Sequence, residues 1–320
     1  MKILAIQNRM GIGDTVIFLP FIKALSKKFN SPISILVKES SKADQYLYQT
    51  NYIDKILILE RDKKSNNRHD GFFGSLNLIK DIKKHKFNKL FIFNSSIRFN
   101  LIGKLTMIPE VYQYPLFKKT KQHIFETPRK FIKEKLDLEV NEDPEVYIDD
   151  KSISQSIIKF QINKNELNIL LGVGGSGPTK RIPVEIFLSV IEKISKIKKC
   201  KFFLAAGKKN EEQIILNKII ESEFKNLCTP LDNLSIKETL PIIKNCNLSI
   251  CNDSSFSHLS AALGVKTITL MADTPLIYGN YSSKMFPIIP DGKDTVEHNT
   301  LGKDKINPDK IFNKIIEIIN

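Results

Sequence analysis

The sequence predicts an α/β protein built on two parallel β-sheets, each covered by helices. Short apolar runs of five to seven residues alternate with longer helical patterns along most of the chain. That alternation is typical of βαβ units, in which a helix connects two parallel strands. The length of 320 residues suits two ordinary domains, and an acidic stretch near the middle separates the alternation into two halves.

The first half contains four of these apolar runs. They are KILAI (2–6), ISILV (33–37), KILIL (55–59) and KLFIF (89–93), with helices predicted at 14–29, near 40–50 and near 75–86. Each run has the length of one strand, and each interval is long enough to return the chain to the same edge of the sheet.

The second half repeats this pattern. Its predicted strands are LNILLGV (167–173), KFFLAA (201–206), NLSIC (247–251) and TITLM (267–271), with helices at about 183–197, 209–224 and 254–264. A last amphipathic helix is predicted over 307–319, because Asn307 suits an N-cap and Pro308 suits the first helical position.

The boundary between the halves is predicted in the acidic stretch LEVNEDPEVYIDDKS (138–152). We therefore expect a first domain over 1–145, a second over 146–305 and a C-terminal helix over 306–320. Both domains would be doubly wound and Rossmann-like and would face each other across a cleft, with ligands at the carboxyl ends of the strands. The pair Asp149-Asp150 is interpreted as solvated charge rather than as a metal site.

The net charge of +14 is concentrated in one region. Residues 61–135 contain 18 Lys and Arg against 6 Asp and Glu, so this basic belt alone carries +12. A charge of this size indicates an anionic partner: a nucleic acid, a membrane surface or a phosphorylated acceptor.

Other features exclude several classes of protein. No run of about 18 apolar residues occurs, so no membrane-spanning helix is expected. The apolar run at the start is too short for a secretory signal, so we expect a cytoplasmic protein. The four cysteines share no C-x-x-C spacing, which indicates buried thiols rather than zinc ligands or a disulfide framework.

A glycine-rich loop, LLGVGGSGPTKRIP (170–183), follows the first strand of the second half. Gly172 and Gly177 have the separation of a Walker loop, but Pro178 stands at the lysine position and has no N–H to offer a phosphate. Gly172, Gly174 and Gly177 also fit a dinucleotide fingerprint, which leaves an NAD-dependent oxidoreductase as an alternative. Against it, Pro178 and Pro183 delay the helix, and the next strand ends in LAAG without an acid for a ribose.

A third interpretation of this loop is a looser turn that lets Lys180 reach a nucleotide diphosphate. TKRIP (179–183) resembles an element of the bacterial heptosyltransferase-like glycosyltransferases, glycosyltransferase family 9. The opening MKILAIQNRMGIGDTVIFLP, with Gly13, Asp14 and Pro20, and the late stretch CNDSSFSHLSAALGVKTITLMADTP (251–275) resemble two more elements of that family. Ile182 replaces the family's usual tryptophan, and Ser255 stands where the family often has glycine.

The resemblance implies a fold and a reaction. The fold would be of the GT-B type, and the enzyme would be an inverting, metal-independent glycosyltransferase. It would move heptose from ADP-heptose to a lipopolysaccharide core or a related surface glycan, with the nucleotide sugar as substrate and with neither cofactor nor metal.

The resemblance also implies roles for individual residues. Asp14 would be the general base, and Lys180 would stabilise the departing diphosphate. The implied donor-binding residues are Gly13, Gly174, Gly175, Arg181, Gly207, Asp253, Ser254, Ser255, His258, Asp273 and Thr274. From the residues alone, Asp14 also fits a first-turn helix acid, Lys180 a solvated loop lysine, NDSS an ordinary N-cap, and His258 a packing histidine.

The basic belt lies in the first half, the acceptor side in this family. Lys63, Lys64 and Arg68 are the acceptor-binding candidates, followed by Lys118, Lys119 and Lys121. The expected partner is an anionic glycolipid, with peripheral contact at the inner face of the cytoplasmic membrane. A nucleic-acid-binding protein is the weakest alternative, because no aromatic-basic motif and no zinc spacing accompany the charge.

Overall fold

The computed structural model describes residues 1–9, 11–61, 67–116 and 123–320. The chain divides into two compact units, Met1–Tyr147 and Ile148–Asn320, and the division lies inside the acidic stretch 138–152. Each unit contains one sheet, and all the strand pairs in both sheets are parallel. The predicted α/β class with two parallel sheets is confirmed.

The first unit has a five-stranded sheet in the order β3-β2-β1-β4-β5. Its elements are β1 Ile3–Ile6, α1 Ile12–Phe29, β2 Ile33–Lys38, β3 Ile53–Leu59, α2 Gly71–Lys83, β4 Lys89–Ile92, α3 Ile97–Leu105, β5 Glu110–Gln113 and α4 Glu126–Leu136. After β3 the chain crosses back over the sheet to place β4 beside β1. This is the strand order of a doubly wound fold.

The helix predicted near residues 40–50 is wrong. Two short 3₁₀ turns, Glu39–Ser41 and Ala43–Gln45, lie there instead. Lys42 between them has a φ of 47°, a left-handed conformation that cannot continue a right-handed helix. Helices α3 and α4 and strand β5 were not predicted; β5 is a four-residue edge strand whose EVYQ sequence lacks a continuous apolar run.

Helices α2 and α3 cover the same part of the first sheet. Leu78, Ile79 and Ile82 of α2 and Phe99 and Ile102 of α3 are buried in one cluster with side chains of β1, β2 and β4. At helical spacing these residues mark the inner face of each helix, so the opposite faces of α2 and α3 point to solvent.

The second unit has a six-stranded sheet in the order β11-β10-β9-β6-β7-β8. Its elements are α5 Asp150–Lys159, β6 Leu167–Gly172, α6 Val184–Ser195, β7 Cys200–Ala205, α7 Asn210–Ile220, β8 Cys228–Pro230, α8 Ile236–Lys244, β9 Leu248–Asn252, α9 Ser255–Ala262, β10 Lys266–Leu270, β11 Met285–Ile288 and α10 Pro308–Ile319. The central strand β6 corresponds to β1 of the first sheet, with β7 and β8 on one side as β2 and β3 are, and β9 and β10 on the other side as β4 and β5 are. Strand β11 is one additional strand at the edge.

The four predicted strands of the second unit are confirmed as β6, β7, β9 and β10. The unpredicted β8 and β11 lie at the two edges of the sheet, where short strands interrupted by proline are tolerated. Asp150 is exposed, as predicted, whereas Asp149 is only partly exposed and its carboxylate caps α5 by accepting a hydrogen bond from the Ser152 amide at 2.7 Å.

The C-terminal helix α10 begins as predicted. The Asn307 side chain accepts a hydrogen bond from the Asp309 amide at 2.9 Å, and Pro308 occupies the first turn. Ile311 and Ile315 are fully buried in the core of the second unit, so α10 is part of that unit.

The cysteines form no disulfide bonds with one another. All four cysteines are free, and Cys200, Cys246 and Cys251 are buried. Burial raises the pKa of the Cys251 thiol to about 12, which keeps it protonated at neutral pH. Among the helices of the described residues, none combines the length and apolarity required to cross a bilayer.

Candidate functional site

Each sheet has a point where the chain reverses its direction of travel across the strands. This point lies between β1 and β4 in the first sheet and between β6 and β9 in the second. Doubly wound folds bind ligands outside the carboxyl ends of the two strands that flank such a point. Asp14 follows β1, Lys180 follows β6 and Asp253 follows β9, so the main candidate residues lie where the topology favours a site.

Asp14 lies in the first turn of α1. The helix begins at Ile12, two residues earlier than predicted, so Gly13 also lies inside the first turn and not in the preceding loop. The Gly11 amide donates to Asp14 Oδ2 at 3.1 Å, and Arg9 Nη1 lies 4.0 Å from Oδ1. Asp14 therefore stabilises the start of α1, as expected of an acid in the first turn of a helix. Its side chain remains 24% exposed.

The glycine loop after β6 is supported by contacts with neighbouring segments. Asn252, at the end of β9, donates from Nδ2 to the carbonyl oxygens of Val173 at 2.8 Å and Gly174 at 3.2 Å. Arg181 Nη1 donates to the Gly175 carbonyl at 3.2 Å. These bonds hold the loop at the end of the central strands without a helix starting on its glycines, because α6 begins only at Val184.

Lys180 and Asp253 form an ion pair, with 2.7 Å between Nζ and Oδ2. The Asp253 side chain is 5% exposed and that of Lys180 is 24% exposed. Burial opposes ionisation of Asp253, but the charges of Lys180 and His258 and the Lys180 hydrogen bond outweigh it and lower the pKa of Asp253. Asp253 is thus a charged partner of Lys180 and makes no N-cap bond to α9, contrary to the ordinary N-cap interpretation.

His258 lies one turn into α9, between Tyr281 and Asp253. Its Nδ1 is 2.8 Å from the Tyr281 hydroxyl, and its Nε2 is 3.8 Å from Asp253 Oδ1. The two rings are also stacked, with 5.6 Å between their centroids. Tyr281 was missed by the sequence analysis, because it lies in an irregular segment without a motif.

The amino end of α9 carries an unpartnered hydroxyl. The helix begins at Ser255, and Ser254 is the N-cap residue, but its side chain makes no capping bond. The Ser254 hydroxyl is buried and has no hydrogen-bond partner within the part of the chain that the structure describes. Since buried polar groups are normally paired, this hydroxyl and the first-turn amides are suited to receive an anion.

Asp273 connects two segments near the site. Burial opposes its ionisation, but hydrogen bonds from the Leu301 amide, at 2.8 Å, and from Thr179 lower its pKa. Through the Leu301 amide, Asp273 joins the loop after β10 to the segment that precedes α10. Thr274 is buried, and its hydroxyl has no hydrogen-bond partner within the part of the chain that the structure describes.

Glu212 lies beside the glycine loop and was not singled out by the sequence analysis. The LAAG strand β7 indeed ends without an acid, but Glu212 reaches back from the first turn of α7. The Gly207 amide donates to its Oε2 at 2.7 Å, and the residue is buried. A Cβ on Gly174 would lie 2.2 Å from this oxygen, so only glycine leaves room for the carboxylate.

The predicted acceptor residues are only partly described. Lys63 and Lys64 fall within 62–66, and Lys118, Lys119 and Lys121 within 117–122, so all five lie outside the described residues. Arg68 forms a two-point ion pair with Asp81, at 2.8 Å and 2.9 Å. This pairing, helped by Lys84 and His69, lowers the pKa of Asp81, and it engages the Arg68 guanidinium within the first unit.

The two sets of residues have different chemical abilities. In the second unit, an ammonium group, a helix amino end and a free hydroxyl provide donors for a diphosphate. In the first unit, a partly exposed carboxylate can accept a proton. Among the described residues, no group of three or more His, Cys, Asp or Glu side chains is arranged to hold a metal ion.

Two doubly wound units in one chain are the fold of the GT-B class of glycosyltransferases. Residues 109–289, more than half of the chain, match glycosyltransferase family 9 (heptosyltransferase). The chain belongs to this family and is a glycosyltransferase. The predicted family and enzyme class are confirmed, and they replace the oxidoreductase and nucleic-acid-binding alternatives.

Three known proteins are similar to this chain over nearly the whole of both chains. Lipopolysaccharide heptosyltransferase 1 of Campylobacter coli is 26% identical over 340 residues, which covers 95% of this chain and 93% of that protein. The structure of a glycosyltransferase family 9 protein from Veillonella parvula has a TM-score of 0.82 at 18% identity, covering 99% and 97% of the two chains. An E. coli heptosyltransferase determined with ADP has a TM-score of 0.72 at 13% identity, covering 99% and 100%.

Proposed function

We propose that this glycosyltransferase transfers heptose from ADP-heptose to a lipopolysaccharide core acceptor or a related surface glycan. The observation that carries the proposal is the Lys180–Asp253 ion pair at the carboxyl ends of β6 and β9, next to the uncapped amino end of α9. The Campylobacter coli relative is a lipopolysaccharide heptosyltransferase, and E. coli heptosyltransferase structures contain ADP or ADP-2-deoxy-2-fluoro heptose. Those names supply the sugar, the nucleotide and the acceptor in the proposal.

Lys180 would bind the diphosphate of the donor. An ammonium group has three N–H donors, so Lys180 can keep its bond to Asp253 and still donate to a phosphate oxygen. The Ser254 hydroxyl and the first amides of α9, including that of Ser255, add donors at the positive end of the helix. Charge that develops on the leaving ADP would be stabilised by groups already in place.

The remaining donor residues would shape the nucleotide site. Gly174, Gly175 and Gly207 allow close approach of backbone, and Arg181 holds the loop in position. His258, between Tyr281 and Asp253, would contact the donor from α9. Asp273 and Thr274 would contribute through the loop after β10.

Asp14 would be the general base for the acceptor hydroxyl. Only Oδ2 accepts a hydrogen bond from Gly11, while Oδ1 faces Arg9 at 4.0 Å and stays available to a substrate. Proton transfer to a positioned carboxylate suits a single displacement at the anomeric carbon, which inverts its configuration. The ammonium and helix donors would stabilise the diphosphate without a metal ion or a cofactor.

The acceptor would be an anionic glycolipid bound by the first unit. Lys63, Lys64 and Arg68 remain the proposed contacts, with Arg68 already supported by Asp81. This acceptor would bring the enzyme to the inner face of the cytoplasmic membrane as a peripheral protein. No nucleic acid is proposed as a partner.

Calorimetry and a transfer assay test the proposed function. ADP should bind, NAD should not, and ADP-heptose should support transfer to a heptose-free lipopolysaccharide acceptor at the same rate with and without EDTA. Tighter binding of NAD than of ADP would contradict the proposal. Turnover of another nucleotide sugar, with none of ADP-heptose, would keep the enzyme class but overturn the donor.

Gly174→Ala should weaken ADP binding by about tenfold, which corresponds to about 1.4 kcal/mol of binding free energy, because displacement of Glu212 would disturb the loop that approaches the diphosphate. The new Cβ would lie 2.2 Å from Glu212 Oε2 and 3.2 Å from the Gly207 amide nitrogen, so Glu212 must move. Gly177→Ala is the matched control, because its Cβ meets nothing closer than Thr179 Oγ1 at 4.0 Å. Equal ADP affinity in both variants would show that Glu212 does not shape the donor site.

A further inference from the structure

The outer faces of α2 and α3 form one surface on the first unit. The two helices share a buried cluster on their inner sides. Arg98 of α3 also joins them, because its Nε donates to the Ser75 hydroxyl of α2 at 2.8 Å. Their solvent-facing sides therefore lie next to each other.

This surface exposes large apolar side chains. On α3, Ile97, Leu101 and Leu105 recur at every fourth residue, and each is more than half exposed. On α2, Phe72 and Phe73 are 75% and 78% exposed, and their rings contact each other at a centroid distance of 5.8 Å. Leu76 follows on the same helix, and Met107 just after α3 is 80% exposed.

Such an arrangement differs from ordinary surface exposure. Single apolar residues on a surface need no explanation, but several on two adjacent helices mark an interaction surface. In the second unit, the exposed residues Ile158, Ile197, Ile214 and Leu301 belong to four separate stretches of chain. The apolar face of α2 and α3 is therefore a candidate interaction surface.

The charges on the same faces are positive. Lys80 and Lys83 lie one and two turns beyond Leu76 on α2, and Lys104 lies beside Leu101 and Leu105 on α3. All three lysines are exposed and form no ion pair within the described ranges. The one acid of the two helices, Asp81, is held by Arg68 and Lys84. An apolar stripe flanked by unpaired lysines is the pattern of a helix that lies in the interface of an anionic membrane.

We propose that the outer faces of α2 and α3 dock on an anionic lipid bilayer. Phe72, Phe73, Leu76, Ile97, Leu101 and Leu105 would enter the boundary between headgroups and acyl chains. The lysines would contact lipid phosphates. A second copy of the chain fits less well, because a two-fold contact through this face would bring the lysines of both copies together without acids to neutralise them.

The proposed function brings the enzyme to the membrane only through its glycolipid acceptor, whereas this docking surface would bind the bilayer itself. Because it consists of helix faces and not of the candidate site residues, membrane docking and sugar transfer can be measured separately. Vesicles that contain neither donor nor acceptor isolate the docking step.

Co-sedimentation with vesicles tests the proposal. The full chain should bind vesicles of phosphatidylethanolamine and phosphatidylglycerol, and bind far less to phosphatidylcholine alone. The double variant Phe73→Ser/Leu101→Ser should lose about tenfold in affinity. The matched control Ile158→Ser/Ile214→Ser removes two exposed apolar side chains from the second unit and should bind like the wild type.

The lysines have their own test. Lys80→Glu/Lys83→Glu should weaken binding at low salt, and the difference from wild type should shrink as salt screens the charges. Wild-type binding by both double variants at low salt would overturn the proposal. So would a wild-type dimer in analytical ultracentrifugation that becomes monomeric in Phe73→Ser/Leu101→Ser while vesicle binding is absent.

Transfer to a soluble, delipidated acceptor separates this proposal from the proposed function. Phe73→Ser/Leu101→Ser should keep that activity while losing vesicle binding. Loss of the soluble reaction together with vesicle binding would show that the face belongs to the acceptor site and would overturn its role as a lipid surface.

Discussion

Asp14→Asn is expected to lower the rate of sugar transfer by about 10² or more, with the affinity for ADP unchanged, because general bases contribute rate factors of about 10²–10⁴. The asparagine amide cannot take the proton of the acceptor hydroxyl. Its carbonyl oxygen can still accept the hydrogen bond from the Gly11 amide, so the start of α1 should survive. Single-turnover transfer assays and ADP calorimetry measure the two effects separately.

Glu238→Gln provides a matched control for the helix-start role of Asp14. Glu238 occupies the same position in α8 and accepts a hydrogen bond from the Ser235 amide at 2.9 Å, as Asp14 does from Gly11. Its variant should fold and transfer sugar like the wild type. If a folded Asp14→Asn enzyme keeps its turnover, Asp14 serves only to stabilise α1.

Lys180→Met should weaken ADP binding and slow transfer together, the latter by about 10²–10³, the usual loss when one preorganised donor to a developing negative charge is removed. In the proposed function the lysine would contact the donor in the ground state through its charge, and this contact would strengthen as the leaving diphosphate gains charge. Calorimetry with ADP and initial rates with saturating donor report the two losses.

Loss of Lys180 also leaves Asp253 as a buried carboxylate without its ion-pair partner, which can cost up to about 3 kcal/mol of stability. The double variant Lys180→Met/Asp253→Asn removes both charges and should recover thermal stability but not ADP affinity. Lys244→Met is the lysine control, because Lys244 donates to the Leu263 carbonyl at the opposite end of α9. ADP binding by Lys180→Met at the wild-type level would reduce Lys180 to a structural loop residue.

Several predictions from the sequence depend on short-range patterns, and these are confirmed. Seven of the eight continuous apolar runs became inner strands of the two sheets, where helices on both faces bury a strand along its whole length, and the eighth, KILIL, became the edge strand β3. Asn307 and Pro308 start α10 because capping requires only neighbouring residues. The family motifs around Asp14, Lys180 and Asp253 were also local enough to read, and they predicted the enzyme class.

The failures have two physical causes. The edge strands β5 and β8 are short and lack the continuous apolar run by which the edge strand β3 was predicted. The helix predicted near 40–50 does not form because Lys42 has a left-handed backbone conformation. The tertiary context, and not the residue type, sets this conformation. Apolar periodicity alone contains neither kind of information.

By itself, the sequence determined which segments form strands at the centre of each sheet and which residue types stand at their carboxyl ends. Only the tertiary structure decided which distant residues contact each other. Lys180 pairs with Asp253, 73 residues further along the chain, Glu212 accepts a hydrogen bond from the Gly207 amide, and His258 contacts the Tyr281 hydroxyl. Local propensities act over a few residues, whereas these contacts depend on parallel strands that bring distant loops to one edge of the sheet. The exposed apolar face of α2 and α3 has the same origin, because burial of one helix side against the sheet leaves the other side to solvent.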